Sequence, residues 1–480
     1  MKKHIASLLL IAMLASLAAS CGEAAPTADD TTAADTTEAE VTTSYLDTLP
    51  STTYAGKTFT ILGPYHASRT TFAAEEETGE PVNDALWRRD REVEERLEIE
   101  LACILSNDIN SVSQNSILAG DDEYQAIIGT MAQTQKGLAQ KTLCLNLNDL
   151  PYMTPDAVWW SPEVARSLTV DGKLLFTTSP LTPQFYFGQQ VTAYNTRLAK
   201  EYKVSGIEDA VLGGSWTLDK LEGMLKDTYR DLDSSGDISG GDQFGMVYES
   251  SIGTDAFFIG AAQKYCENDG GALTVALDSE STLNALERIR KLVLNKELVR
   301  DTKTGGDPTD YEDNIFMEGR AMFITVSISH IIAKFREMED DYVIIPVPKL
   351  DEKQASYLSY ANPWCLGGIS VPVTVSDYDM TGHVLETMAY LSWEYVRPAQ
   401  YDQTLKHKVS RDGSDNTMEI LDLVFEGTYY DLGGIFDFGG SRTVVGNYIK
   451  GTSDSYMSDY EAVRSKIGAS IENFMACLPE

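Results

Sequence analysis

Oxygen-bearing side chains recur at regular intervals in one acidic loop of the 480-residue chain. Loop positions one, three, five, nine and twelve carry such side chains, and position seven would contribute its backbone carbonyl; in chain order the six residues are Asp231, Asp233, Ser235, Asp237, Ser239 and Asp242. This spacing is typical of loops that surround Ca²⁺ with oxygen ligands. Gly236 at position six permits a sharp turn, and Ile238 at position eight is expected to pack inward. The loop therefore predicts a structural calcium site.

Two residues depart from the usual calcium loop. Ser235 stands where aspartate or asparagine is usual, and Asp242 replaces a bidentate glutamate, so a modest affinity is expected. The residues that follow, from Phe244 onward, have the pattern of a strand, so no second flanking helix is expected. A solvated acidic turn after a helix is the alternative, and spacing alone leaves it open.

Aromatic side chains offer a second kind of chemistry, because sugars stack their apolar faces on indole and phenol rings. The candidates are Tyr65, Trp159, Trp160, Tyr186, Trp216 and Trp364. Trp216 directly precedes a helix start and is predicted to lie in the core. Trp364 follows Asn362 and precedes a Gly-Gly pair, so it is predicted on a loop that faces ligand. For each tryptophan, burial in a core is the alternative.

Several other chemistries are disfavoured. His66, His330, His383 and His407 are widely dispersed, and the chain has no His-Glu-x-x-His or Gly-x-Ser-x-Gly motif. Beyond Cys21, an odd number of cysteines follows without metal-ligand spacing, so free thiols with at most an occasional bridge are expected. The formal charge of −35 repels phosphate backbones, so nucleic acid is not an expected partner.

The N-terminus has the pattern of an export signal. Lys2 and Lys3 precede an apolar run from residue 5 to 17, and small residues then lead to Cys21. Residues 1–20 are predicted to be a lipoprotein signal peptide, with Cys21 as the lipidated residue; ordinary cleavage with an incidental cysteine is the alternative. Residues 21–55 are rich in Thr, Ala and acidic side chains, and are expected to form a disordered tether that reaches from the membrane.

The remaining chain alternates between strand and helix patterns. Residues 58–62 read as a strand, residues 83–98 as a charged helix with Leu86, Val93 and Leu97 on one face, and residues 124–129 as a buried strand. This order favours an α/β lobe with a mostly parallel sheet. A chain of this length and 43% hydrophobic content is expected to form two such lobes.

The middle of the chain resembles a known family. Tyr194-Asn195 stands before one helix, Gly214-Ser215-Trp216-Thr217 opens the next, and the acidic loop leads to Phe244-Gly245; Leu147-Asn148-Asp149-Leu150 and Glu318-Gly319-Arg320-Ala321 agree with the same pattern. The segment resembles extracellular solute-binding proteins of ABC importers, in the family 1 (carbohydrate-binding) group. The resemblance implies an α/β, two-lobed, periplasmic-binding-protein-like fold of type II, whose lobes are joined by crossing hinge segments. Residues 56–182 and 343–398 would form lobe 1, and residues 183–342 and 399–480 lobe 2.

The family's chain order also implies which residues face the cleft. These are Tyr65, His66, Thr130, Met131, Gln133, Glu249, Asp255 and Ser327, joined by the candidates Tyr186, Asn362 and Trp364. For Glu249 and Asp255, a solvated rim position is the alternative.

The resemblance implies a receptor without enzymatic activity. It would be a monomer anchored outside the cell membrane, closing on a carbohydrate of oligosaccharide size and docking on the permease subunits of an ABC importer. Two alternatives stay open. The same fold could bind a non-sugar cargo such as a peptide. An exported glycan hydrolase is the other alternative, since its two carboxylates have no fixed spacing in sequence.

Overall fold

The structure is a computed structural model that describes residues 44–65, 72–303, 312–401 and 416–479. Cys21, His66, the expected signal peptide and most of the expected tether lie outside the described residues. The chain divides into two compact units, residues 1–48 and 49–480. In the first, Tyr45–Thr48 forms a short 3-10 helix. The remaining description concerns the second unit.

The strands and helices alternate along the chain. The strands are β1 (Thr58–Pro64), β2 (Glu100–Ser106), β3 (Ala126–Thr130), β4 (Gln190–Asn195), β5 (Phe244–Tyr248), β6 (Glu267–Asp269), β7 (Ala272–Thr274), β8 (Val299–Asp301), β9 (Ala321–Ser327), β10 (Tyr342–Ile345), β11 (Ser359–Tyr360), β12 (Gly367–Ser370) and β13 (Thr428–Tyr429). The helices are α1 (Pro81–Leu97), α2 (Ile109–Ala119), α3 (Lys136–Ala139), α4 (Pro162–Leu168), α5 (Thr196–Glu201), α6 (Ile207–Leu212), α7 (Leu218–Leu225), α8 (Gly253–Gly260), α9 (Glu280–Val293), α10 (Glu312–Met317), α11 (Ile328–Lys334), α12 (Tyr378–Leu391), α13 (Thr417–Glu426), α14 (Leu432–Phe436), α15 (Ser441–Ile449) and α16 (Tyr456–Ala476).

The first sheet has the strand order β12-β3-β1-β2. β1 pairs in parallel with β2 and β3, and β12 runs antiparallel to β3. Helix α1 covers this lobe with the face that the sequence predicts, because Leu86, Val93 and Leu97 are all buried. Pro81 at the first turn and the Glu80 side chain, which accepts from the Asn83 N–H, explain where the helix begins.

The second sheet has the order β10-β4-β9-β5-β8. Strands β9, β5 and β8 are parallel, while β4 runs antiparallel to β9 and β10. The pairing of Ile345 with Thr192 corrects the boundary at residue 343. Residues 343–345 belong to the second sheet, since the apolar run Tyr342–Ile345 completes its edge before the chain crosses back.

Two chain segments cross between the sheets side by side. The first leaves the first sheet near Thr177, which bridges Ile369, and enters β4 at Gln190. The second returns from β11 to β12, and on the way the Asn362 N–H donates to the Gly188 carbonyl. The chain thus forms two α/β lobes joined by crossing segments, as the sequence predicts.

Trp159, Trp160 and Trp216 make hydrogen bonds and packing contacts within the lobes. Trp216 is fully buried, stacks on Phe323 and donates its indole N–H to the Pro346 carbonyl at 2.9 Å, which confirms its predicted core role. Trp159 and Trp160 both donate to the buried Glu386 carboxylate, at 2.9 and 2.7 Å. These indoles therefore serve packing within a lobe.

The five cysteines after Cys21 are all free thiols, as predicted. Among the described residues, no helix combines the length and the apolar character that a bilayer crossing requires.

Candidate ligand-binding cleft

The cleft begins where the first sheet meets the second crossing segment. Thr130 ends β3 and pairs with Gly367, while the Met131 N–H donates to the Leu366 carbonyl at 3.2 Å. The next N–H, of Ala132, donates to the Pro363 carbonyl at 3.0 Å. The loop after β3 is therefore held directly against residues 363–366.

The predicted first-lobe residues differ in how much surface they offer. Tyr65 directly follows β1 and is 61% exposed, and Gln133 is also exposed. Thr130 is half-buried, and its hydroxyl oxygen has no hydrogen-bond partner. Met131 is buried, so its side chain supports the loop. Tyr65, Gln133 and Thr130 are thus the first-lobe candidates that could contact a ligand.

The second lobe brings three predicted residues into one small cavity. This cavity measures about 50 Å³, and its lining includes Glu249, Ser327 and Asn362. Glu249 directly follows β5, Ser327 ends β9 and Asn362 lies on the crossing segment, so strand ends and crossover meet at one place. A ligand at this cavity could contact the second lobe and the crossing segment together.

Two further residues of this cavity, Gln190 and His330, were missed by the sequence analysis. Gln190 opens β4, and His330 lies in the first turn of α11. The signal was present for His330, which stands three residues after Ser327, whereas Gln190 reaches the cavity because it pairs with Ser327 across the sheet.

The cavity offers hydroxyl, carboxylate and imidazole groups. The Ser327 Oγ lies 2.7 Å from the Ser329 Oγ and 3.1 Å from the His330 Nδ1. The Glu249 Oε1 accepts from the Ser251 N–H at 2.9 Å and lies 3.6 Å from the Lys303 Nζ. Groups of this kind can donate to and accept from sugar hydroxyls.

Trp364 is held with its indole exposed. Its backbone N–H donates to the Asn362 Oδ1 at 3.1 Å, and the Asn362 Nδ2 donates to the Cys365 Sγ at 3.4 Å. Asn362 is itself buried, so it fixes the turn, and the Trp364 side chain is 41% exposed. An apolar ring kept partly in solvent beside polar groups is suited to stacking on a sugar.

Tyr186 was predicted at the cleft, and the structure places it in the core. It is only 5% exposed and packs edge-on against Phe425 at 5.4 Å between ring centroids, with Tyr401 at 5.9 Å. Because neighbouring rings cover it, its ring offers no stacking face in this arrangement.

Asp255 was also predicted to face ligand, with a solvated rim as the alternative, and neither position is observed. It is 1% exposed, and its Oδ2 lies 2.6 Å from the Arg442 guanidinium while its Oδ1 accepts from the Tyr265 hydroxyl at 2.6 Å. Burial raises the pKa of Asp255, and Arg442 opposes that shift. Arg442 also donates to the Ser251 carbonyl at 3.0 Å, so the ion pair supports the loop that carries Glu249.

Asp431 fastens the segment before α14 to the second lobe. Its carboxylate accepts from the N–H groups of Tyr265, Cys266, Gly433 and Gly434. Burial nevertheless raises the pKa of Asp431 to about 7, and these backbone donors oppose the shift. Asp431 is therefore a buried acid whose charge can change near neutral pH.

The acidic loop gathers three carboxylates on the outside of the second lobe. Asp231, Asp233 and Asp242 each place one oxygen within 4.8 Å of the others. The Asp233 carboxylate accepts hydrogen bonds from the Ser235 N–H and from the Ser239 hydroxyl. Hydrogen bonds from these two residues lower the pKa of Asp233 to about 2. Hence Asp233 stays charged over the whole physiological range, as a metal ligand must.

The inside of this loop differs from the expectation. Ile238 is 37% exposed and does not pack inward. Asp242 is buried instead, and its Oδ2 accepts from the Tyr229 hydroxyl at 3.0 Å and from the Ser239 N–H at 2.9 Å. The Asp237 carbonyl, expected as a ligand, accepts from the Ser235 hydroxyl at 3.0 Å.

Solved structures share this architecture at low sequence identity. An ABC substrate-binding protein from Listeria monocytogenes in complex with cycloalternan matches with a TM-score of 0.51 and 14% identity, over 87% of this chain and 98% of its own. A cyclo/maltodextrin-binding protein complexed with maltotetraose matches with a TM-score of 0.56 and 12% identity, over 88% and 97%. The GacH receptor of Streptomyces glaucescens, solved with acarbose, matches with a TM-score of 0.50 and 13% identity, over 88% and 97%.

No protein-family model matches the chain, and no curated protein matches it. Identities this low establish the fold, and they agree with the strand order and the crossing segments. The chain therefore has the two-lobed α/β fold of periplasmic-binding-protein type II.

Proposed function

We propose that the protein is an extracytoplasmic receptor that binds a carbohydrate, of oligosaccharide size, in the cleft between its lobes. The observation that carries this proposal is the position of Trp364. Its exposed ring lies on the crossing segment, two residues from Asn362 in the cavity with Glu249 and Ser327. An aromatic face beside a few convergent polar groups is the usual composition of a sugar site. The similar structures solved with cycloalternan, maltotetraose and acarbose support the same class of ligand.

The mechanism would be hinge closure. Tyr65, Thr130 and Gln133 lie on the first lobe, while Glu249 and Ser327 lie on the second, so one ligand can contact both sets only when the lobes approach. A ligand that gains contacts in the closed arrangement shifts the equilibrium towards it. The described site residues supply binding groups, and we assign no catalytic step to them.

Export and membrane attachment form part of the proposal. The basic start, the apolar run and the small residues before Cys21 support a lipoprotein signal and a lipid anchor on that cysteine. The acidic stretch before residue 44 would then act as the tether. The predicted end of the tether at residue 55 is corrected, because Tyr54 is buried and donates its hydroxyl to the Asp379 carboxylate at 2.8 Å. The closed receptor, as a monomer, would deliver its cargo to the permease subunits of an ABC importer, in keeping with the family resemblance.

We also propose that the acidic loop binds a structural Ca²⁺ through Asp231, Asp233 and Asp242. The clustering of their oxygens within 4.8 Å supports this, as does the depressed pKa of Asp233. A bound cation would replace the internal hydrogen bonds from Ser235 and Ser239 to Asp233.

A thermal-unfolding screen tests the receptor proposal. The purified protein is heated with neutral oligosaccharides, including maltotetraose, and in parallel with a peptide panel. A ligand at about a hundred times its Kd should add roughly 2.7 kcal/mol and raise the Tm. A shift with an oligosaccharide recovered intact supports the proposal. A shift with peptides alone would favour a non-sugar cargo, and shortened glycan would indicate a hydrolase.

A further inference from the structure

A β-hairpin of the second lobe contacts the first lobe at a place separate from the cleft cavity. The hairpin consists of β6 and β7 with a two-residue loop, Gly270-Gly271, in which both residues have positive φ. It lies against the end of α4 and the turn at residues 170–173. Its contacts therefore hold one particular arrangement of the two lobes.

Asn268 makes the polar part of this contact. Its Nδ2 donates to the Ser167 carbonyl at 3.2 Å and to the Thr169 carbonyl at 2.6 Å. These carbonyls lie at the C-terminal end of α4, where backbone acceptors have no partner within the helix. The Asn268 Oδ1 meanwhile accepts from the Gly271 N–H at 3.3 Å, which fixes the amide in this orientation.

Gly271 makes the steric part. A Cβ at this position would lie 2.6 Å from the Asp171 nitrogen and 2.8 Å from its Cα, so only glycine allows this approach. At Gly270, by contrast, a Cβ would meet nothing within 4 Å. The tip of the hairpin is thus fitted to the first lobe on one side only.

The seam next to the hairpin is loosely filled. A cavity of about 510 Å³ is lined by Glu163 and Arg166 of α4, by Glu267 and Asp269 of the hairpin, and by residues 426–430. The atoms around a void lack packing partners on one side, so the hydrogen bonds of Asn268 are expected to contribute measurably to this part of the contact between the lobes.

The arrangement that the hairpin holds does not bring the first-lobe candidates to the second-lobe cavity. That cavity of about 50 Å³ is lined by residues of the second lobe and of the crossing segment, and Tyr65, Thr130 and Gln133 are not among them. A sugar can contact both lobes only if the lobes move towards each other. Such a movement would change the contact between Asn268 and α4.

We propose that the β6–β7 hairpin is a latch that stabilises the ligand-free arrangement of the lobes and thereby weakens ligand binding. The predicted effect of the latch on ligand affinity rests on the proposed function. The predicted effect of the latch on the arrangement of the lobes does not. When only a fraction of molecules is competent to bind, the apparent Kd rises by the reciprocal of that fraction. Losing one to two hydrogen bonds of the latch should therefore lower the apparent Kd about fivefold.

Two variants break the latch by different means, and each has a matched control. Asn268→Asp keeps the oxygen that accepts from the Gly271 N–H. It replaces the donating Nδ2 with a second oxygen, which would face the Ser167 and Thr169 carbonyls and repel them. Gly271→Ala drives a methyl group against Asp171, while Gly270→Ala adds the same group at the same kind of positive φ into open space. Thr274→Ala changes an exposed side chain of the same hairpin.

The first measurement needs no ligand. Encoded fluorophores at the exposed helix positions Glu95 and Lys291 report the distance between the lobes by energy transfer in the full-length protein. The latch predicts that Asn268→Asp and Gly271→Ala shift or broaden the distance distribution, while Gly270→Ala and Thr274→Ala match the parent. If the parent and the four variants, all folded by circular dichroism, have the same distance distribution, the latch proposal is wrong.

Titration with maltotetraose then tests the consequence for binding. The latch variants should bind about fivefold more tightly than the parent and the two controls. Equal or weaker binding in both latch variants would refute a latch that opposes closure. If no glycan binds even the parent, the receptor proposal fails, and the distance measurement still decides whether the hairpin holds the lobes.

Discussion

At the scale of single residues, the cleft separates side chains that fix its shape from side chains that remain accessible. Asn362 is buried and sets the turn, and Trp364 stays exposed because of it. Arg442 and Asp255 are paired inside the second lobe and support the loop that carries Glu249. Binding is expected to depend on the accessible group, and stability on the buried ones.

Trp364→Ala should weaken oligosaccharide binding about tenfold and leave the Tm nearly unchanged. The ring is partly in solvent, so its loss removes a stacking face and little packing. Titration calorimetry gives the Kd, with Val373→Ala as the control, because Val373 is exposed to a similar degree on the same stretch of chain. A binding constant unchanged in Trp364→Ala would remove this residue from the site.

The predictions for individual residues succeeded where local sequence decides the outcome. Trp216 precedes a helix and packs inside, as predicted; Trp364 follows a turn residue, Asn362, and lies exposed, while its contact with ligand stays a prediction. Tyr186 and Asp255 failed because their burial depends on partners far along the chain, such as Phe425 and Arg442. A pattern read over a few residues carries no information about those contacts.

At the scale of elements, buried carboxylates stabilise loops of the second lobe by accepting hydrogen bonds from backbone N–H groups. Asp242 closes the acidic loop from inside, and Asp431 gathers backbone N–H groups from two segments. The sequence showed the spacing of the loop carboxylates. It did not show that Asp242 would be buried and Ile238 exposed, because the burial of Asp242 involves Tyr229 thirteen residues earlier.

Calcium should raise the Tm, and a chelator should reverse the rise. Asp233→Asn should abolish this response, because it removes a charge from the cluster of three carboxylates. Asp237→Asn should retain it, since only the backbone carbonyl of that residue was expected to coordinate. Scanning calorimetry with and without Ca²⁺ decides the matter. Identical curves in calcium and chelator would show that the loop is a solvated turn.

Asp431 should make the protein less stable as the pH rises from about 4 to about 7. Its pKa is about 7 in the folded chain and near 3.8 when unfolded, so the folded state binds more protons in this window. Stability gained from that proton is complete below about pH 4 and is lost as the pH passes 7. The slope of Tm against pH should be flatter in Asp431→Asn than in the parent. Parallel slopes would show that Asp431 stays ionised.

At the scale of the whole molecule, the order of strands and helices along the chain produces two sheets joined by two crossing segments, with the cleft between them. The alternation of strand and helix patterns was enough to predict two α/β lobes, because parallel sheets require such crossovers. The return crossing was predicted at residue 343 and lies about twenty residues later, between β11 and β12, because Tyr342–Ile345 pairs with β4 and Ser359–Tyr360 pairs with β13. Lobe arrangement and hairpin contacts were not predictable, because they join residues about a hundred positions apart.

The most direct test of the central claim is titration calorimetry of the purified protein with the oligosaccharide selected in the unfolding screen, followed by chromatography of the mixture. A receptor predicts saturable binding of one ligand per chain, with a negative heat-capacity change from buried apolar surface and with the glycan recovered at its original length. Absence of heat with every glycan, or recovery of shortened products, would contradict the account.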